Sequence, residues 1–367
     1  MRSLSRRTFL VVALLLAPAL AVGGEIPKEY RETVNKGLAW MVKKQHKDGH
    51  WGGNSDGYST WMTAMGGVSL LCEGSTIREG KYRDNISRAT KWLMDRARPD
   101  GLIGDPARAS EGGRYMYGHG HAMLFLSCVL SEDMNVERRE RLVEILGKAA
   151  KFTSDAQTTR RGWGFVSGND GSNFDEGLST VLQLQALRAA RAAGVVVCEE
   201  TIAKGRKYLV DSTNEEGGVV HSLAFGQPPG RGDGQAELTA GATACAFSAG
   251  DYDSPSVLAW LRNCQTTFAI PADTGRLRLS EYENYYFAQV AYGLGEDRFE
   301  RLFPKARTSQ RLSWSRYRTA TFPELVKTQS ADGSWDLSSW GIGKVLTTAC
   351  HLTAMQLDRA ALPIYQR

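Results

Sequence analysis

The sequence predicts an all-α fold, an (α/α)6 toroid of six helical hairpins in two concentric layers. Three observations predict it: a spacing that recurs six times, a regular alternation of two kinds of helix, and terminal units without polar caps.

The spacing comes first, because a period of this length reveals repeat architecture. Six segments end at Gln45, Ala97, Gln157, Thr213, Gln265 and Gln329, 52 to 64 residues apart. Five positions before these ends stand Trp40, Trp92, Phe152, Tyr208 and Trp260, with Glu324 in the sixth unit. A turn glycine follows at Gly49, Gly101, Gly162, Gly217 and Gly333; the longer fifth loop offers Gly275. Each period holds two helices and two loops.

The helices alternate in character. The first of each unit, as in GLAWMVKKQ or ATKWLMDRAR, sets apolar residues at helical spacing against Lys, Arg and Glu, so one side faces water. The second, as in STWMTAMGGVSLL, HAMLFLSCVL or ELTAGATACAF, is apolar almost all round and belongs in a buried layer. An open solenoid would carry polar capping units. Neither the first nor the last unit reads as one, so the sixth hairpin is expected to close on the first.

Residues 1–21 read as an export signal. Ser5-Arg6-Arg7-Thr8-Phe9-Leu10 precedes an apolar run, and Ala19-Leu20-Ala21 is an A-x-A cleavage pattern. The paired arginines resemble a twin-arginine leader, which implies an exported protein of the periplasm or cell envelope. The toroid then occupies residues 25–367. The net charge of +5 includes Arg2, Arg6 and Arg7; the remaining +2 gives no pull toward nucleic acid. No later stretch is long and apolar enough for a transmembrane segment. Of the six cysteines, Cys72, Cys128, Cys245 and Cys350 lie in small-residue helical contexts. Cys198 and Cys264, near helix ends, are the one pair suited to a bridge. No C-x-x-C occurs, and the sequence gives no reading of a metal site or cofactor.

Two turns share a fuller signature. Gln45-His-Lys-Asp-Gly49-His-Trp51 and Gln329-Ser-Ala-Asp-Gly333-Ser-Trp335 both fit Q-x-x-x-G-x-W. This resembles the QW repeat of the squalene–hopene cyclase and prenyltransferase-type toroids. Leu362 to Arg367 and Tyr115 to Gly120 are similar to a bacterial, single-ring branch of that superfamily. The resemblance implies a structural role for Gln45, Gly49, Trp51, Gln329, Gly333 and Trp335, and a ligand, isoprenoid or glycan, in a central cavity.

Which chemistry the ring supports is tested by residue. An alkene-protonating cyclase needs D-x-D-D, and the nearest spacing is Asn173-Phe174-Asp175-Glu176 at the start of an inner helix. Asp175 is either the acid or, with Glu176, a favourable first-turn charge behind an Asn173 cap. A zinc prenyltransferase would need Asp-x-Cys and a thioester protein Cys-Gly-Glu-Gln; neither occurs. A lyase-like enzyme would draw on the inner-helix starts, which converge on one mouth. They carry Tyr58, Trp61, Tyr117, His119, His121, Asp175, Glu237, Glu281, Tyr285, Tyr286 and Lys344. His119 with Asp175 or Glu237 would form an acid/base pair; equally, His119 reads as a hydrogen-bonded rim histidine. Tyr58, Trp61, Tyr117, Glu281 and Tyr285 are candidate ligand contacts. The reading that follows is an exported ligand-binding toroid, with a terpene cyclase or a His119-based polysaccharide lyase as alternatives.

Overall fold

The computed structural model describes residues 24–170, 173–224, 232–336 and 341–366; the leader read from residues 1–21 lies outside them. Twelve principal helices alternate as the sequence alternates. The outer ones are α1 (Lys28–Lys44), α3 (Arg83–Met94), α5 (Val136–Asp155), α7 (Glu199–Asp211), α9 (Pro255–Thr267) and α11 (Trp314–Thr328). The inner ones are α2 (Ser59–Leu71), α4 (Tyr115–Glu132), α6 (Gly177–Ala192), α8 (Ala236–Phe247), α10 (Glu281–Leu294) and α12 (Lys344–Met355). Two further helical turns, Ala109–Gly112 and Arg298–Leu302, lie in loops. No helix among the described residues is long and apolar enough to cross a membrane.

Burial follows composition. Every residue of α2 is buried, whereas α3 buries one face, including Ile86, Ala89, Trp92 and Leu93. Each inner helix packs on the next, and α12 packs on α2 and α1, closing the ring. Small residues allow this closeness: a Cβ on Gly67 of α2 would lie 2.4 Å from the Phe125 ring of α4.

The hairpins are joined by one repeated latch. Gln45 Nε2 donates to Gly49 O in its own turn (2.8 Å) and to Asn85 O of α3 (2.9 Å). Gln329 Nε2 donates to Gly333 O and to Thr33 O of α1, both at 2.9 Å, so the sixth turn is fastened to the first helix. The aromatic five residues before each latch reaches back to the preceding unit. Trp92 Nε1 donates to Asp48 and Trp40 Nε1 to Asp332, both at 3.1 Å; Trp260 Nε1 donates to Thr213 at 2.8 Å. Glu324 does the same with an ion pair to Arg278.

The third turn is a full member, hidden in the sequence by one substitution. Gln157 Nε2 donates to Arg161 O and Thr201 O, and Trp163 Nε1 donates to Thr153 O as Trp51 does to Met41 O. The residue at positive φ is Arg161 (77°), not Gly162. Gly275 is likewise not the fifth equivalent: a Cβ there would meet nothing within 4 Å. All six cysteines are free thiols, Cys198 exposed and Cys264 buried.

A side chain at Gly333 would combine φ of 95° with a Cβ 2.4 Å from Lys36 O. Gly333→Ala is therefore expected to cost about 3 kcal/mol. Gly275→Ala, with φ of 62° in open space, should cost about 1 kcal/mol. Urea denaturation followed by circular dichroism measures both; equal losses would show that the turn does not lock the ring.

Candidate binding site at the mouth and centre of the ring

The latch turns all sit at one end, because each hands a backbone N–H to the first turns of its inner helix. Trp51 N donates to Thr63 Oγ1, Trp163 N to Thr180 Oγ1, Val219 N to Thr239 Oγ1 and Trp335 N to Thr348 Oγ1, at 2.9–3.1 Å. In the second unit the donor is Ile103 N and the acceptor is His119 Nδ1, at 3.1 Å. His119 thus occupies the repeat's threonine position. Its Nε2 meets Thr153 Oγ1 at 2.9 Å, and that hydroxyl donates onward to Ala149 O. Thr153 therefore accepts, so Nε2 carries the ring proton and Nδ1 the lone pair. Burial pushes the imidazole down to about 4, against the hydrogen bonding at Ala149, and both nitrogens are committed to the frame.

Asp175 and Glu176 diverge. Asp175 turns toward the outer layer, where Arg160, Tyr208 Oη (2.7 Å), Ser222 Oγ (3.2 Å) and Leu223 N (2.9 Å) surround it. Glu176 is the N-cap of α6, accepting from Leu178 N (3.0 Å) and Ser179 N (2.6 Å). On its inner side it accepts from Tyr117 Oη at 3.1 Å. Burial raises the carboxyl to about 7, with those donors holding it back. The inward-facing acid is therefore Glu176.

At the centre the rings pack on one another. Trp61 lies 4.8 Å from Tyr117, 6.0 Å from His121 and 6.2 Å from Tyr282 between centroids. Tyr286 stacks on Tyr282 and meets Tyr285 edge-on. None of Trp61, Tyr117, His121, Tyr282, Tyr285 and Tyr286 is more than 1% exposed. Side chains fill the space where the sequence leads one to expect a cavity. From the opposite end Tyr365 reaches in, its hydroxyl 2.5 Å from that of Tyr285. Several polar atoms in this packed centre have no hydrogen-bond partner among the described residues: Trp61 Nε1, His121 Nδ1, Tyr286 Oη, Gln183 Oε1 and Gln185 Oε1. Burial takes His121 down to about 3 and leaves it neutral; its Nε2 meets Tyr282 Oη at 3.3 Å.

A run of half-buried rings leads from this centre to the rim: Phe165 at 6.1 Å from Tyr117, then Phe174 and His221. Tyr58 meets Trp61 edge-on, also half-buried. Glu281 is buried. Glu237 is half-buried on α8, raised by burial and by the charges of Glu283 and Glu281. Two contributors went unread in the sequence. Glu111 caps α2 from a loop through Thr60 N and Oγ1, both at 2.9 Å. Arg108 binds Ser59 and Asp56 beside it. Neither lies in a repeat position, so no periodic signal marks them.

No family model matches the chain. Part of it is similar to lanosterol synthases: 29% identity over 123 residues to the human enzyme and 32% over 88 residues to the mouse enzyme. These stretches cover 32% and 24% of this chain and only 17% and 12% of the synthases. Solved structures match nearly end to end. The type II terpene cyclase MstE from Scytonema superposes with a TM-score of 0.55 at 14% identity, covering 90% of this chain and 98% of that one. The α-1,6-mannanase of Salegentibacter superposes at 0.58 and 11%, covering 90% and 98%.

The chain is an α/α toroid. At these identities the structural likeness is one of fold. Within this toroid the repeat's own geometry has absorbed His119 and Asp175, and the inward chemistry rests with Glu176, Tyr117 and the central rings.

The titrations set a pH dependence. His119, His121 and His351 are depressed to about 4, 3 and 3 by burial, so each stays neutral in the fold and takes up a proton on unfolding below about 6.5. Their contribution is complete above pH 6.5 and is lost as pH falls toward the folded values. Glu176, raised to about 7, acts oppositely between about 4.5 and 7. Three protons against one leave stability falling on acidification, by about two protons' worth around pH 5. Urea midpoints at pH 7, 6 and 5 check this; a flat profile would contradict it.

Proposed function

We propose that this protein is an exported ligand-binding toroid that takes an isoprenoid-class molecule into its aromatic centre through the mouth. The observation that supports it is the set of unpaired atoms Trp61 Nε1, His121 Nδ1 and Tyr286 Oη inside one stack of rings. A core evolved only as a plug satisfies its buried polar groups. Neutral donors and acceptors between aromatic faces suit a largely apolar ligand with one or two polar atoms. The half-buried rings Phe165, Phe174 and His221 supply the approach, and the centre opens by side-chain rotation as the ligand enters.

Binding is favoured over turnover. Alkene protonation needs a carboxylic acid both neutral and strongly acidic; at about 7, Glu176 is a weak one. Glycoside hydrolysis needs two accessible carboxyl groups facing one bond, whereas Asp175 and Glu176 point apart and Asp175 is enclosed. Of the similar toroids, the Scytonema cyclase is described with geranylgeranyl dihydroxybenzoate and the mannanase with α-1,6-mannotriose; the neutral ring stack favours the first chemistry.

Tyr286→Phe separates the alternatives. Removing an unpaired buried hydroxyl should raise stability by about 1 kcal/mol and weaken binding of geranylgeraniol about tenfold, read by fluorescence titration. Binding of mannotriose but not of the isoprenoid alcohol would overturn the reading. So would a Tyr286→Phe variant that loses stability and binds unchanged.

A further inference from the structure

We propose that His46, His50 and Asp56 form a site for a divalent transition metal of the zinc class, on the outer rim and apart from the aromatic centre. Their ligand atoms all lie within 4.8 Å of one another, a convergence of three such groups among the described residues.

The argument begins with Asp48 and His50. Asp48 Oδ1 lies 2.6 Å from His50 Nδ1 and also accepts from His50 N, while its other oxygen accepts from Trp92 Nε1. Asp48 is thus met by nitrogen groups on both oxygens, the setting of a carboxylate that accepts. An ionised carboxylate only accepts, so His50 Nδ1 carries the proton. His50 Nε2 then faces Asp56 Oδ1 at 3.0 Å. Asp56 is held as a carboxylate by the Arg108 guanidinium on its other oxygen. Two lone pairs do not face each other at that distance; a cation, metal or proton, belongs between them. A carboxylate holding the far nitrogen of a histidine is how proteins orient a metal-binding imidazole.

His46 supplies the third ligand. Its ring stacks on His50 at 4.1 Å, and its Nε2 is 3.8 Å from Asp56 Oδ1. Donors around zinc sit about 2 Å from the ion and so about 3.4 Å apart. His46, 51% exposed, has the freedom to swing the remaining ~1 Å. Arg108 takes the other Asp56 oxygen at 2.7 Å, leaving Oδ1 for the metal. Three protein ligands leave a fourth position for water from the cleft lined by His46, Gly52, Asn54 and Lys344.

Two further observations separate this site from an ordinary turn. The sixth latch makes the same turn with serines: Ser330 N bonds Ser334 O at 2.8 Å, as His46 N bonds His50 O, and Asp332 fills the role of Asp48. The repeat therefore needs neither imidazole. Asp56 is also delivered by costly backbone: Ser55, Asp56 and Tyr58 have φ of 53°, 57° and 53°, each worth of order 1–3 kcal/mol.

The test uses the full mature chain, stripped with chelator, on a Cys198→Ser background so that the exposed thiol takes no metal. Calorimetry with zinc chloride should show one ion per chain, and cobalt(II) should give a visible absorption band. His46→Ser and His50→Ser, which copy the sixth turn, should each weaken zinc at least tenfold and bleach the cobalt band. In chelator they should melt with the parent. Should His50→Ser melt early, the His46→Ser comparison decides. No stoichiometric zinc uptake by the parent, or uptake unchanged in both variants, overturns the proposal and leaves a proton between His50 and Asp56.

Discussion

One amide group in each of three hairpins, the first, third and sixth, fastens this ring. A glutamine side chain at the end of an outer helix gives its two N–H bonds to its own turn and to the next outer helix. A single hairpin of this kind could not bury its apolar inner helix; six in sequence, with the sixth latched to Thr33 O of the first, leave no open end. The indole behind each latched turn donates inward to the chain it covers, so the polar groups at these buried corners are satisfied. A residue on the neighbouring helix reaches back to the same turn, as Trp40 does to Asp332. Register between hairpins is thereby set by hydrogen bonds, while apolar burial supplies the bulk driving force.

That frame dictates the centre. Six inner helices held start to start bring Trp61, Tyr117, His121, Tyr282 and Tyr286 into one fully buried layer. The layer is apolar in surface but not in atoms: Trp61 Nε1, His121 Nδ1 and Tyr286 Oη lie inside it without a hydrogen-bond partner among the described residues. Such a centre is costly as mere filling, since each unsatisfied buried group forfeits its hydration. It is economical if a guest completes it.

The frame also reassigns residues that look chemical. His119 stands where four other units place threonine, and it performs the same task, accepting the N–H of the residue that ends the turn. A repeat position defined by geometry admits any side chain with an acceptor at the right reach. His46 and His50 show the reverse: the turn is satisfied with serine in the sixth unit, and the imidazoles are additional.

The period, the two kinds of helix and the closure of the ring were legible in the residues alone. Burial on one face or on all faces is written directly into composition along a helix, and Gln, Gly and Trp at fixed offsets mark a turn whose backbone few other residues adopt. Arg161 shows the limit of that reading, because a residue at positive φ without glycine hides an intact latch. What only the tertiary structure decided is direction. Asp175 and Glu176 are neighbours in the chain, and Glu176 is extended (φ −155°, ψ 138°), a geometry that sends successive side chains to opposite sides. One therefore meets Arg160 in the outer layer and the other meets Tyr117 in the middle. His50 faces Asp56 for the same kind of reason, a few left-handed residues that no pattern of types announces. Composition fixes how much of a helix is buried; which atom faces which is set by backbone angles and by neighbours distant in sequence.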